Sequence, residues 1–206
     1  MKAPRNSFPM IMRINKANNK QNLLSIGIDM LSKKGYNATG VQELVNAAGI
    51  PKGSFYNYFE SKEDFAVKVL EKYTKEEILF TEAIIHDKSR TPLQRIEKLI
   101  DERIQRVIDS NFSKFCLVTS LGDEMSHVSS LIARSISNSI SKLNSPVINC
   151  LTEAQHMGEI KLNLDVKQLG EFIENSWRGT IVSVKANKSP ELLSSYKKFI
   201  MNNLLY

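Results

Sequence analysis

Seven consecutive residues, Lys52-Gly53-Ser54-Phe55-Tyr56-Asn57-Tyr58, bring an ammonium, three hydroxyls and a carboxamide together within about two helical turns. These groups suit a polyanion. Lysine pairs with phosphate, asparagine can read adenine bidentately or touch only backbone, and hydroxyls bond to phosphates or base edges. Gly53 permits close backbone approach. Phe55 and Phe59, at i and i+4, share the other side and anchor the segment inward.

A second chemistry centres on Cys116, at the expected start of a helix. Free N–H groups and the helix dipole favour a thiolate there, and Lys114 is close in sequence, so the position suits reaction with electrophiles or oxidants, or lining of a pocket. The alternative is an inert core thiol. Cys150 lies mid-helix on an apolar stripe and reads as core. Two cysteines make no disulfide framework, and reduced thiols in a cytoplasm are expected. Catalytic and metal-binding patterns are missing from the sequence. His86, His127 and His156 are far apart, with no HExxH or Cys/His spacing, and there is no GxSxG, P-loop or GxGxxG. Glu71, Glu76 and Glu77 read as a solvated face. No cofactor, no metal and no enzymatic activity are expected.

These groups need elements to position them. From residue 18 the apolar period is helical: Leu24, Ile28 and Leu31 in one segment, Val41, Leu44, Val45 and Ala48 in the next, and longer stripes on the three last segments. Thr39–Gln42 and Thr91–Gln94 fit the capping box, and Pro92 and Pro190 fall where a helix tolerates proline. The chain reads as all-α. About nine helices are expected, over 18–34, 41–48, 52–58, 61–86, 91–110, 116–126, 128–157 (kinked or split near Pro146), 165–187 and 190–205. Apolar runs of four or five residues exclude a membrane span, and the Phe8–Met12 run is too short for a signal-peptide core.

Charge divides these elements. The 206 residues carry a net charge of +6. Residues 1–62 contain nine Lys/Arg and three acids, whereas 63–206 balance at nineteen of each. The excess therefore coincides with the short helix pair 41–48 and 52–58, joined by Gly49-Ile50, which has the spacing of a helix-turn-helix whose second helix enters a major groove. Three segments follow: a flexible basic arm over 1–17, a DNA-binding helix-turn-helix over 18–62, and a neutral ligand-binding and dimerisation domain over 63–206. Arg13, Lys16 and Lys20 could carry the arm into a minor groove or simply keep it solvated. Stripes over 165–187 and 190–205 suit a bundle of two helices from each of two copies, with Leu169, Phe172, Ile173, Ser176, Thr180, Leu193, Tyr196, Phe199 and Ile200 as candidate contacts. The alternative is that these stripes fill the protomer core. Phe112, Phe115, Met125, His127 and Trp177 are candidate pocket residues beside Cys116, and their mixed aromatics favour a flat or apolar molecule.

Three stretches carry a family resemblance: Leu31-Ser-Lys-Lys-Gly35-Tyr36-Asn-Ala-Thr39, Val41 to Ile50, and Pro51-Lys52-Gly53-Ser54-Phe55-Tyr56-Asn57-Tyr58-Phe59 with Ser61-Lys62-Glu63. Residues 20–72 resemble the DNA-binding domain of the tetracycline-repressor (TetR/AcrR) family of bacterial transcription regulators. The resemblance implies a cytoplasmic homodimer that binds a palindromic double-stranded DNA operator and is released by a small-molecule effector. Carried over by position, Thr39 caps the second helix and meets a phosphate. Lys52, Gly53, Ser54, Tyr56 and Asn57 form the recognition helix, and Tyr58 and Lys62 touch phosphate. Pro51 departs from the frequent Ser/Thr cap, and Asn57-Tyr58 replaces a commoner Tyr-His pair. Cys116-Leu117, Leu121 and Glu124, with Trp177-Arg178-Gly179 further on, resemble a subset that includes electrophile-responsive members, with Phe115 where that subset has glycine. A DNA-structuring helix-turn-helix protein without a sensor is the alternative.

Overall fold

The computed structural model describes residues 8–113 and 116–205, with side chains from residue 18 onward. Every regular element among them is helical: α1 (Phe8–Lys34), α2 (Val41–Ala47), α3 (Lys52–Phe55), α4 (Lys62–Ile85), α5 (Pro92–Asp109), α6 (Leu117–Met125), α7 (Ser130–His156), α8 (Val166–Asn187) and α9 (Pro190–Phe199), continued by a π-helical segment Ile200–Leu205. Local chemistry explains most of the starts. The Ser61 hydroxyl accepts from the Asp64 N–H at 3.0 Å. Thr91 and Gln94 form the full capping box that opens α5. Ser129 accepts from the Ile132 N–H, and Asp165 from those of Lys167 and Gln168.

Four expectations need correction. Residues 8–17, expected as part of a flexible arm, are the first turns of α1, with Pro9 where its missing N–H costs nothing. Residues 1–7 lie outside the described ones. The second capping box does not form. Gly40 is the N-cap of α2, and the fully buried Thr39 hydroxyl donates to the Gly35 carbonyl at 2.7 Å. α3 is a single turn of four residues, followed by non-helical turn through Tyr58. α7 is one continuous helix through Pro146 and is not split there, its packing on α4 and α5 offsetting one missing helical bond.

Two apolar cores stack along the long helices. The first gathers Leu23, Leu31, Leu44, Phe55, Phe59, Phe65 and Val69 and continues without a break into Leu117, Leu121 and Met125 of α6 and Ile132 of α7. Phe55, Phe59 and Phe65 meet with ring centroids 4.9–5.3 Å apart. The second core is built from Ile96, Leu99 and Ile100 of α5, Val147 and Leu151 of α7, Ile173 of α8, and Tyr196 and Ile200 at the C-terminal end. α4 and α7, which pack on each other most extensively, run through both.

Two carboxylates clamp this arrangement. Glu124, near the end of α6, accepts from the backbone N–H groups of Tyr36 at 3.0 Å and Asn37 at 2.8 Å, just beyond α1. Gly35 makes the approach possible. Its φ is +82°, and a Cβ there would lie 1.7 Å from a Glu124 oxygen. Glu153 of α7 receives the buried Arg95 guanidinium at 2.7 and 3.1 Å and the Lys88 ammonium at 3.0 Å, tying α5 and the α4–α5 turn to α7. Hydrogen bonds from Arg95, then Lys88, hold the Glu153 carboxyl at about 2 against an ordinary 4.5.

The Gly35→Ala variant should lose about 1–2 kcal/mol from the left-handed backbone alone, and more from displacing Glu124. In denaturant unfolding its loss should be smaller on a Glu124→Ala background, where the collision is gone; equal losses would remove the contact as the cause. Glu153 has a lowered folded-state pKa, so its stabilisation is complete above about 4.5 and is lost as pH falls toward about 2. Acid titration of Glu153→Gln should show a shallower fall of stability across that window, from a lower neutral-pH starting value.

Candidate nucleic-acid interface and effector cavity

The basic segment forms a small exposed platform. α2 ends in a tight turn at Gly49 (φ +66°), where the Ile50 N–H returns to the Val45 carbonyl at 3.0 Å. That turn aims α3 outward. Lys52, Gly53, Tyr56 and Asn57 are exposed, and Ser54 and Tyr58 are half-buried. Beneath them Phe55 and Phe59 are buried, as their spacing predicts, and Tyr56 packs its edge against Phe55 at 5.3 Å. Lys62 opens α4 with its ammonium 4.2 Å from the centre of the Tyr36 ring. Burial lowers its pKa, against an opposing pull from Glu124. Lys20 lies over the Phe59 ring. Thr39 does not join this surface. It has no exposed area, so its assignment to a phosphate is corrected: its hydroxyl is committed to the turn after α1.

Between the two cores lies a polar seam, and in it a cavity of about 480 Å³. Its walls come from α1 (Ile28, Ser32), α4 (Tyr73, Glu77), α5 (Arg103, Arg106, Val107), α7 (Leu143) and α8 (Glu174, Trp177, Arg178, Ile181), with Cys116 at its edge. Arg106 grips Glu77 through two bonds of 2.8 and 3.1 Å. Arg103 donates to Glu174 at 2.7 Å. Although burial opposes it, the Glu174 charge and hydrogen bond raise the Arg103 pKa. Arg178 donates to the side-chain oxygens of Asn144 at 2.7 Å and Asn175 at 2.8 Å. Tyr73 is pushed well above its ordinary value, first by burial and then by Cys116 beside it.

Of the expected pocket residues, the cavity brings together Cys116 and Trp177. Cys116 is the N-cap of α6 and half-buried; Trp177 also packs on Tyr196 with centroids 5.3 Å apart. The others are corrected. Phe112 packs with Val107, Ile181 and Leu193 in a small satellite cluster. Met125 is part of the first core, and His127 is exposed in the α6–α7 turn. Phe115 and Lys114 lie outside the described residues. The wall sets charged groups beside Tyr73, Trp177 and aliphatic side chains, so ion-pairing groups join the apolar surface that the expectation of a flat or apolar molecule rested on. Glu77, expected on a solvated face, is one of its acids. The residues missed, Arg103, Arg106, Glu174 and Arg178, had one local signal: arginines set three apart on the strongly amphipathic α5. Among the described residues no cluster of His, Cys, Asp or Glu could hold a metal ion. Among the same residues no helix is long and apolar enough to cross a membrane.

α8 and α9 present a surface groove of about 440 Å³ away from the cavity. Phe172 and Phe199, each about half exposed, flank it, and Ser176, Gly179, Thr180 and Ser183 form a low wall. Tyr196 and Ile200 are its buried floor, and the Tyr196 hydroxyl donates to the Ile173 carbonyl at 3.1 Å. Leu169, Ile173 and Leu193 point into the protomer and are corrected from contact to core. Apolar periodicity does not distinguish the inner stripe of such a helix from the outer one.

Residues 23–69 match the family model for bacterial regulatory proteins of the tetR family, and residues 92–200 match the model for a tetracyclin repressor-like C-terminal domain. The HTH-type transcriptional repressor DhaR of Mycobacterium sp. (strain GP1) is 28% identical, over 90% of this chain and 92% of its own length. The transcriptional regulator AcuR of Cereibacter sphaeroides is 30% identical, over 86% of this chain and 81% of its own. The crystal structure of a regulatory protein TetR from Rhodobacter sphaeroides superposes with a TM-score of 0.83 at 29% identity, covering 88% of this chain and 96% of that one.

The two thiols should behave differently. Burial pushes Cys150 up to about 11, and its thiol donates to the Pro92 carbonyl at 3.4 Å. A disulfide-exchange reagent at neutral pH should therefore modify one thiol per chain in the native protein and two after unfolding. Cys116→Ser should abolish the native reaction. Rapid labelling of two native thiols would contradict the burial of Cys150.

Proposed function

The chain belongs to the TetR family of bacterial regulatory proteins, and on that premise we propose that it is a homodimeric, cytoplasmic repressor released from a palindromic operator by a small molecule. The observation that carries this reading is the outward face of α3. Lys52, Ser54, Tyr56 and Asn57 project from a turn whose other side is locked by the Phe55–Phe59–Phe65 contacts. Such a fixed polar face at the basic end suits major-groove reading, with Gly53 allowing close approach and Tyr58 and Lys62 at flanking phosphates. Lys62 would leave the Tyr36 ring for a phosphate, an exchange favoured because its ammonium is already partly desolvated.

Dimerisation is assigned to the α8–α9 groove. Phe172 and Phe199 stand beside the small residues Ser176, Gly179 and Thr180, so a two-fold copy can set large side chains against small ones. Domain organisation follows: a reading head up to about residue 62 and a sensing and pairing body beyond it. The activity is binding and release, without catalysis. The names of the relatives, a transcriptional repressor and a transcriptional regulator, support repression. Cys116 supports a second means of release, by electrophilic modification, because its thiol borders the cavity beside Tyr73.

Gel shift and footprinting on DNA flanking the gene test the reading. A dimeric complex protecting about two helical turns is expected. Lys52→Ala and Tyr56→Ala should each weaken it about tenfold or more while thermal stability stays near wild type, and Lys52→Ala should reduce the salt slope by about one. Salt-sensitive binding blind to sequence would instead identify a DNA-structuring protein. For thiol release, Cys116→Ser should stay on the operator under a mild electrophile that frees the wild type; equal release would clear Cys116 of the role.

A further inference from the structure

We propose that the effector is a small monocarboxylate, held by Arg178 in the cavity between α1, α5 and α8. The inference rests on the reading of this cavity as the effector site and adds the chemical class of its occupant.

Charge bookkeeping along the wall carries it. Each acid there has its own base: Asp29 has Lys33 at 2.7 Å, Glu76 has Lys72, from outside the wall, at 2.6 Å, Glu77 has Arg106 at 2.8 Å and Glu174 has Arg103 at 2.7 Å. Arg178 is left over. It is nine-tenths buried, yet its two hydrogen-bonded partners are the neutral carboxamides of Asn144 and Asn175. The nearest carboxylate oxygen, on Glu174, is 3.9 Å away and belongs to a group already engaged by Arg103. Two arginines thus share one acid, and Arg178 makes no hydrogen bond to a carboxylate. A buried guanidinium bonded only to neutral groups is costly, and it is best satisfied by a planar carboxylate that accepts two parallel bonds.

The remaining wall limits the rest of the ligand. Trp177, Ile181, Leu143 and Ile28 offer a short apolar surface. Ser32 of α1 is buried with its hydroxyl unpaired, so the side of the cavity that belongs to the head has a polar group in reserve. A ligand with a carboxylate toward Arg178 and a few carbons toward Trp177 would therefore touch α1 and α8 at once, linking occupancy to head position.

Butyrate and benzoate, tested beside butyramide, benzamide, butylamine and methyl phosphate, separate the alternatives. Thermal shift and calorimetric titration of the full-length protein read binding directly, without DNA. The carboxylates should bind, and the neutral and cationic isosteres should bind about tenfold or more weakly. Arg178→Gln should lose the carboxylate preference. Should that variant fail to fold, Asn144→Asp supplies the same test. It gives Arg178 a carboxylate of its own at the position where it already bonds, keeps the arginine, and should abolish the preference with helicity intact. Amides binding as well as acids, equal or tighter binding of methyl phosphate, no binding of either acid, or an unchanged preference in Asn144→Asp would each overturn the assignment. Operator binding, measured separately by gel shift, distinguishes the two readings. Carboxylate binding without any operator complex would leave the ligand class standing and remove the repressor. An operator complex indifferent to carboxylates that do bind would place them outside regulation.

Discussion

The arrangement depends on a layer of paired ionised side chains, fully or partly buried between two apolar cores. Burying a charge is tolerable only with a partner in place, so each ion pair in the seam imposes a condition on the helices that supply it. Arg103 must meet Glu174, which sets α5 against α8; Arg106 must meet Glu77, which sets α5 against α4. Arg178 reaches Asn144, which sets α8 against α7. Leucine and isoleucine contacts tolerate small slides between helices, whereas these contacts do not. The seam therefore acts as a register mark for the body, and the cavity is the space left where five helices are kept at the separation their long polar side chains require.

The head is held to the body by a different device. Its apolar core does not stop at the end of the helix-turn-helix but continues into α6 and α7, and Glu124 closes the same junction from outside with two bonds to backbone. Besides the run of α4 through both, the helix-turn-helix end and the body are thus joined by this apolar continuity and by one carboxylate. Cys116 and Glu124 stand near opposite ends of α6, so a single short helix touches both the cavity edge and the turn that leads into α2.

What was legible in the sequence was what is local. The boundaries of α5 were readable because Thr91, Pro92 and Gln94 settle that start among themselves. Phe55 and Phe59 could be assigned inward because their spacing decides it. Thr39 could not, since its hydroxyl is taken by a carbonyl in the preceding turn, and Gln42 then has no capping partner. The candidate site was half legible. Its polar reading face was continuous in sequence, whereas its cavity is assembled from five helices, and no spacing rule pairs Glu77 with Arg106 or Arg178 with Asn144. On α8 and α9 the apolar pattern marked one broad stripe on each helix, and only packing shows which of its residues face outward.

α4 belongs to both ends. At 1.5 Å per residue its 24 residues form a rod of about 36 Å. One end carries Lys62, beside the reading face, and the middle carries Tyr73 and Glu77 on the cavity wall. A rod of that length converts angle into distance: a tilt of about 5° pivoted at its far end moves the near end by about 3 Å. That is close to the rise per nucleotide along the DNA axis, about 3.4 Å. A change of about 1–1.5 Å where α4 lines the cavity would thus be geared up two- to threefold at the other end, a displacement on the scale of one nucleotide's rise.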